Sequence, residues 1–212
     1  MSERAMTSEP SYSGRLSRTL IIDTAIAQID RIGPEALSMR SLAKDLGVEA
    51  MSLYRYVRGR EDLLDGVTDA LTGDLSARLE AELTDHWQGF LQTLAHQVRR
   101  IAVEHPRAFP LVATRHPAAP WLRPPLRSIA LVNTFLSALI GYGFTDAQAV
   151  AAYRSFTSFL IGQLLLESAV RGAETGPLDA PIDEGDAELP PAEAAEELDE
   201  APEVKRLRPL LS

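Results

Sequence analysis

The sequence predicts an all-α protein: a small N-terminal helix-turn-helix head of three helices, followed by a larger helical body. Three observations carry this. Apolar residues recur at helical spacing along most of the chain, no stretch alternates in the manner of a strand, and prolines and glycines punctuate the periodic runs. The 212 residues accommodate one head and one body of about 100–130 residues, long enough to bury a core of its own.

Residues 1–14, rich in Ser, Glu and Met, read as a flexible lead. An amphipathic helix follows over 16–32, with Leu20, Ile22, Ala25, Ile26, Ile29 and Ile32 on its apolar face, and Gly33-Pro34 ends it. Ser38 caps a second helix whose Met39, Leu42, Ala43 and Leu46 fall at i, i+3, i+4 and i+7. Gly47 supplies the left-handed closure, and a third helix of about two turns starts near Glu49. Val48, Leu53 and Val57 face inward on it, which leaves Ala50, Met51, Ser52, Arg55 and Tyr56 pointing mostly outward. Small, hydroxyl, aromatic and cationic side chains together suit the floor of a DNA groove. Glu61 and Asp62 then occupy the first turn of a fourth helix, where the macrodipole favours acids, and Leu63, Leu64, Val67, Leu71 and Leu75 give it a buried stripe.

Residues 16–75 resemble the DNA-binding domain of the TetR/AcrR-type bacterial transcriptional regulators. The resemblance rests on Leu42-Ala43 and Leu46-Gly47-Val48 in the helix-turn, Leu53-Tyr54 and Val57 in the recognition segment, and Leu63-Leu64-Asp65 beyond it. It implies a head over 15–62 and a regulatory and dimerisation domain over 63–212. Carried over position by position, it places the base-reading face on Arg40, Ala50, Met51, Ser52 and Arg55, with the two arginines suited to bidentate contact with guanine. Tyr54, Tyr56 and Arg60 fall on positions that reach phosphates. Ser38 offers its hydroxyl or the N–H groups of its helix start to another.

A net charge of −9 opposes binding to a polyanion, but the charge is unevenly distributed. Residues 1–60 carry nine basic and seven acidic side chains, whereas residues 174–200 hold eleven acids and no base. A locally basic head suffices for phosphate contacts. The region 172–202, rich in Ala, Glu, Asp, Pro and Gly, reads as an acidic flexible loop. Beyond it, Lys205, Arg206 and Arg208 in 203–212 stand ready to neutralise nearby acids.

In the body, Trp87, Phe90, Leu91, Leu94, Val98 and Ile101 mark a long helix closing at His105-Pro106. Pro110, Pro117, Pro120, Pro124 and Pro125 break 106–125, leaving room for one short helix. Ile129, Val132, Phe135, Leu136, Leu139 and Ile140 mark the next, ending around Gly141–Gly143. Asp146 then caps a strongly apolar helix that runs to about Val170 through Val150, Tyr153, Phe156, Phe159, Leu160 and Leu164. Too much of its circumference is apolar for a single buried face, so its excess surface calls for a partner.

The body resembles the regulatory domain of tetracycline-repressor-like proteins, through Trp87-Gln88-Gly89-Phe90-Leu91, the His105 turn, Gly141-Tyr142-Gly143-Phe144 and the Phe159–Glu167 stretch. That resemblance implies a homodimer formed through the 146–170 helix and the C-terminal segment, although the family's final long helix is shortened or absent here. It also implies a small-molecule inducer held among the helices of each subunit. Trp87, Phe90, Leu94, Phe109, Trp121, Asn133 and Phe156 are the candidate ligand contacts, aromatic walls with a polar point. Val112 stands where tetracycline-binding relatives use a histidine to coordinate ligand-bound magnesium, which points to a bulky, largely apolar inducer instead.

The four histidines form no H-x-x-x-H or H-E-x-x-H pair, and the chain has no cysteine, so no metal, cofactor, disulfide or thiol chemistry is expected. His105 caps a helix C-terminus, where an imidazolium is favoured. No G-x-S-x-G elbow, phosphate loop or dinucleotide fingerprint suggests an enzyme. No run of about 20 apolar residues is read as a membrane span and the N-terminus lacks a signal core, so a cytoplasmic protein is expected. The expected function is therefore a homodimeric repressor that binds a pseudo-palindromic DNA operator and is released by an inducer. The alternative is a DNA-binding architectural or recruiting protein with no small-molecule ligand.

Overall fold

A computed structural model describes residues 16–82, 85–114, 128–174 and 200–211. These residues are helical, with no strand among them. In the head, α1 is Arg18–Ile32, α2 Met39–Leu46, α3 Ala50–Leu53 and α4 Arg60–Thr72. The body comprises α5 (Leu75–Ala81), α6 (Trp87–Glu104), α7 (Phe109–Thr114), α8 (Ile129–Gly141), α9 (Asp146–Val170) and α10 (Pro202–Leu211).

Caps fix the head's register. The Ser17 Oγ accepts the Leu20 amide at 3.2 Å to start α1, and the Gly33 amide returns to the Ile29 carbonyl at 2.8 Å to close it. Ser38 and Ser41 form a reciprocal capping box on α2, and Gly47 at φ 67° turns the chain toward α3. Ile21, Ile22, Ala25, Ile29, Leu37, Met39, Leu42, Ala43, Leu53, Val57, Leu63, Leu64 and Val67 make the head core. Ile32 departs from the expected apolar face and is exposed, because the helix ends at that residue. The third helix is also shorter than expected. Only Ala50–Leu53 are α-helical, and Tyr54–Tyr56 continue as a hydrogen-bonded turn closed on the Leu53 carbonyl.

The body core is built on Phe90, Leu94 and Val98 of α6, Val132, Phe135 and Leu136 of α8, and Val150, Tyr153 and Leu164 of α9. Helix α9 begins one residue earlier in its chemistry than expected. Thr145, not Asp146, is the N-cap, in a capping box with Gln148. Asp146 instead takes both prongs of Arg206 from α10, which hold its carboxyl below the usual carboxylate range. Helix α10 lies on α8 and α9 and buries Ala201, Val204 and Leu207 with the body core.

One expectation about the body needs correction. At 25 residues, α9 is long and apolar enough to cross a bilayer by length and composition. In the fold it is packed by α6, α7, α8 and α10 along one side, while Phe159, Leu166 and Val170 on the other remain 74%, 67% and 89% exposed. A helix with one face in a core and an apolar second face carries the same composition as a membrane span.

Candidate nucleic-acid interface

The expected DNA contacts fall at the start of α2, on α3 and in the turn after it, with Arg60 at the start of α4. Arg40, one residue into α2, is exposed, and so are Met51, Tyr54, Arg55 and Tyr56. Met51 is 76% exposed. Ala50 and Ser52 are half-buried beside it. Leu53 and Val57, almost wholly buried, anchor this segment in the head core. Ser38 is exposed at the start of α2, with its hydroxyl committed to Ser41.

Arg60 departs from its expected place. It is 6% exposed and points inward, where Nε donates to the Leu37 carbonyl at 3.2 Å and Nη2 to the Pro34 carbonyl at 2.9 Å. Its Nη1 lies 3.6 Å from the Glu61 carboxylate. A guanidinium so engaged staples the loop between α1 and α2 to the start of α4, and phosphate contact does not fit that placement. Sequence inspection had no means of finding this, because both carbonyl acceptors lie more than twenty residues upstream.

The body holds a small cavity of about 20 Å³ lined by Leu94 and Val98 of α6, Leu131, Val132 and Phe135 of α8, and Tyr153, Thr157, Leu160 and Ile161 of α9. Of the six expected ligand contacts among the described residues, only Leu94 lines it. Phe90 is buried one layer away, edge-on to Phe135 at 5.8 Å, and Phe156 packs on the same ring at 5.9 Å. Trp87 is half-exposed and edge-on to Phe144, while Phe109 and Val112 are fully buried in α7. The Asn133 Oδ1 accepts the Glu203 amide at 2.8 Å and so caps α10 rather than facing the cavity. Trp121 lies outside the described residues. Tyr153 and Thr157, one helical turn apart on α9, were the lining residues with a polar signature; burial raises the Tyr153 phenol well above its ordinary value.

Comparison with known proteins agrees with this architecture at both ends. Residues 21–67 match the family model described as bacterial regulatory proteins, tetR family, and residues 81–201 match the tetracyclin repressor-like C-terminal domain. The chain belongs to the TetR family. It is a DNA-binding transcriptional regulator rather than an enzyme. An HTH-type transcriptional regulator of Saccharopolyspora erythraea is 33% identical over 74% of this chain and 63% of its own length. The class E tetracycline repressor protein of Escherichia coli is 28% identical over 76% of this chain and 72% of its own. The crystal structure of a possible TetR family transcriptional regulator from Streptomyces coelicolor A3(2) superposes with a TM-score of 0.64 at 25% identity, covering 92% of this chain and 88% of the other.

Among the described residues of this TetR-family chain, the turn after α6 and α7 tie the body to the head. Ala108 and Leu111, from the turn after α6 and from α7, are buried in the head core. Arg107 donates to the Asp30 and Arg31 carbonyls at the end of α1. His105, the C-cap of α6, places Nδ1 2.7 Å from Asp30 Oδ2. The hydrogen bond to Asp30 raises the imidazole above its ordinary value; partial burial opposes the shift, and the charges of Asp30 and Glu104 add to it. Because the folded-state value exceeds the unfolded one, the bond contributes fully below the unfolded pKa of about 6.5 and is lost as pH climbs through the raised value. Thermal unfolding followed from pH 6 to 9 should show a pH-dependent loss of about 2–4 °C, corresponding to about 1 kcal/mol. His105→Gln should remove that component; a variant with the wild-type pH profile would contradict the assignment.

Proposed function

We propose that the chain is a homodimeric repressor that reads a pseudo-palindromic operator and releases it on binding a small molecule. The observation that carries this reading is the bare apolar stripe of α9 on a chain whose reading element is so short. A single turn of helix touches only a few base pairs, so useful specificity requires two copies held about 34–36 Å apart, one major-groove turn. The stripe is the surface that supplies the second copy. Arg40 and Arg55 read guanines, Ala50, Met51 and Ser52 fill the groove, and Ser38, Tyr54 and Tyr56 contact the backbone. The likeness to a protein named as a tetracycline repressor supports repression.

The inducer site of this proposal is the cavity between α6, α8 and α9. Its lining argues for a largely apolar compound, and its volume means that α8 or α9 must move to admit one. That movement is what would alter the spacing of the two heads, by differential affinity for two states of the dimer. The small volume also favours a second reading, a DNA-binding protein with no small-molecule ligand.

Selection of duplexes from a random library by the full chain, followed by displacement assays with apolar compounds, tests both readings. Enrichment of a two-fold-symmetric sequence is the expected result, and enrichment of nothing would overturn the proposal. Release by a compound would separate the first reading from the second. Replacing Arg55 with Ala should relax preference at one position of each half-site by about tenfold, the size of a bidentate contact. Stability should change by less than about 0.5 kcal/mol, because the side chain is exposed. Equal losses on selected and random duplexes would assign Arg55 to the phosphates instead.

A further inference from the structure

We infer that Arg18 and Asp62 act as a clamp that sets the backbone of the reading turn, which makes them positioning residues for base recognition. This rests on the reading of α3 and the turn after it as the DNA-contacting element. Because α3 ends at Leu53, Arg55 stands on a segment with little helical ladder of its own. Something outside the segment must fix the direction of its side chains.

The fixing contacts converge on Val57. The carbonyl just before it, on Tyr56, accepts Arg18 Nη1 at 3.3 Å, and the amide just after it, on Arg58, donates to Asp62 Oδ2 at 2.8 Å. The Val57 side chain is sunk in the head core. Arg18 and Asp62 are joined to each other through both prongs, Nη2 to Oδ1 at 3.1 Å and Nη1 to Oδ2 at 3.4 Å. The Asp62 carboxylate is only 12% exposed, so this pairing is shielded from solvent on its acidic side.

Gly66 supplies an independent sign that the arrangement is built. A Cβ at Gly66 would stand 3.2 Å from Arg18 Nη2 and 2.7 Å from Ile22 Cδ1. The absence of a side chain there lets α1 lie close on α4 and lets the guanidinium reach across to Asp62. The peptide groups on either side of Val57 are thus tied to α1 and α4 at once, and the turn that carries Tyr54, Arg55 and Tyr56 inherits their rigidity.

Arg18 is 42% exposed in its side chain, so direct contact with a phosphate is the competing role. The two roles predict opposite signs for Asp62→Asn. Removing an acid beside the polyanion should tighten DNA binding on electrostatic grounds alone, whereas loosening the clamp should weaken selected-sequence binding. The experiment uses the full chain, a duplex enriched by the wild-type protein, and a scrambled duplex, with anisotropy titrations across a salt series. Asp62→Asn and Arg18→Lys, which keeps the charge but not the fork, are each expected to lose about tenfold on the enriched duplex. Binding to the scrambled duplex should change less than about twofold and the salt slope should be unaltered. Tighter binding of Asp62→Asn to both duplexes would overturn the clamp. So would wild-type behaviour of Arg18→Lys combined with a slope lowered by about one in Arg18→Gln.

Amide exchange on the free protein keeps the clamp falsifiable if a variant is unstable or if no duplex is enriched. Exchange across 54–58 should quicken about tenfold in Asp62→Asn while 63–67 stays protected, and unchanged exchange at 54–58 would sink the idea. Failure of the wild-type protein to enrich any duplex would count against sequence-specific DNA recognition itself, leaving this exchange result to decide the clamp.

Discussion

Phe159→Asp is expected to convert the proposed dimer to a monomer and to lower affinity for a two-fold-symmetric duplex by about 100-fold or more, without unfolding the subunit. Phe159, Leu166 and Val170 lie on one side of α9 at i, i+7 and i+11, each more than two-thirds exposed. Burying a large apolar side chain stabilises by about 1.5–3 kcal/mol, and a two-fold axis counts each of the three twice, for on the order of 10 kcal/mol in all. Association itself costs about 4–15 kcal/mol, so the interface has little surplus, and burying two carboxylates in it exceeds that surplus. In the isolated subunit the same substitution sits in water and costs little.

Gly162 sharpens this test because it faces the same way. No atom lies within 4 Å of a Cβ added there, so the subunit itself does not require a glycine, although one in mid-helix costs about 1 kcal/mol relative to alanine. Gly162→Ala should therefore stabilise the subunit, whereas Gly162→Leu should block the close approach of a second α9. Sedimentation velocity and thermal unfolding on the three variants separate the effects. A Phe159→Asp protein that remains dimeric and binds the symmetric duplex at wild-type strength would show that the stripe is not the interface.

The two ends of the chain differ in how much their sequence reveals. The head was legible because its signals are local: Ser38 and Gly47 bracket α2, Gly33-Pro34 stops α1, and the periodic residues between them reach the core with Leu20 and Ile32 the exceptions. The exposed arginines Arg40 and Arg55 follow from the same periodicity. The cavity was not legible, because α9 is apolar on its core face and on its bare face alike. Composition along it does not say which residues turn inward, and Tyr153 and Thr157 line the cavity while Phe156 packs aside. Asn133 shows the same limit from the polar side. A lone amide in an apolar helix looks like a ligand contact until α10, seventy residues later, returns to take its carbonyl.

Arg60 carries this lesson to a measurable consequence. Read along the chain it is one more cation beside a DNA face, yet in three dimensions it spans two loop carbonyls from beneath α2. Arg60→Ala is expected to destabilise the head by about 2–4 kcal/mol. Two charge-assisted hydrogen bonds vanish, and the carbonyl of Leu37, a residue with only 1% exposure, loses its guanidinium donor. The Pro34 carbonyl fares better, since it also accepts the Leu37 amide at 3.2 Å, which keeps the estimate below that for two orphaned acceptors. Arg60→Lys should recover only part of the loss, because one ammonium lacks the fork that reaches both carbonyls at once. Denaturant titration followed by a probe in the head should thus order the proteins wild type, Lys, Ala, with DNA binding at low temperature keeping its salt slope in the lysine variant. If Arg60→Ala unfolds at the wild-type midpoint while its salt slope falls by about one, the side chain leaves its buried seat to meet a phosphate, and the staple between the α1–α2 loop and α4 is not what holds the head together.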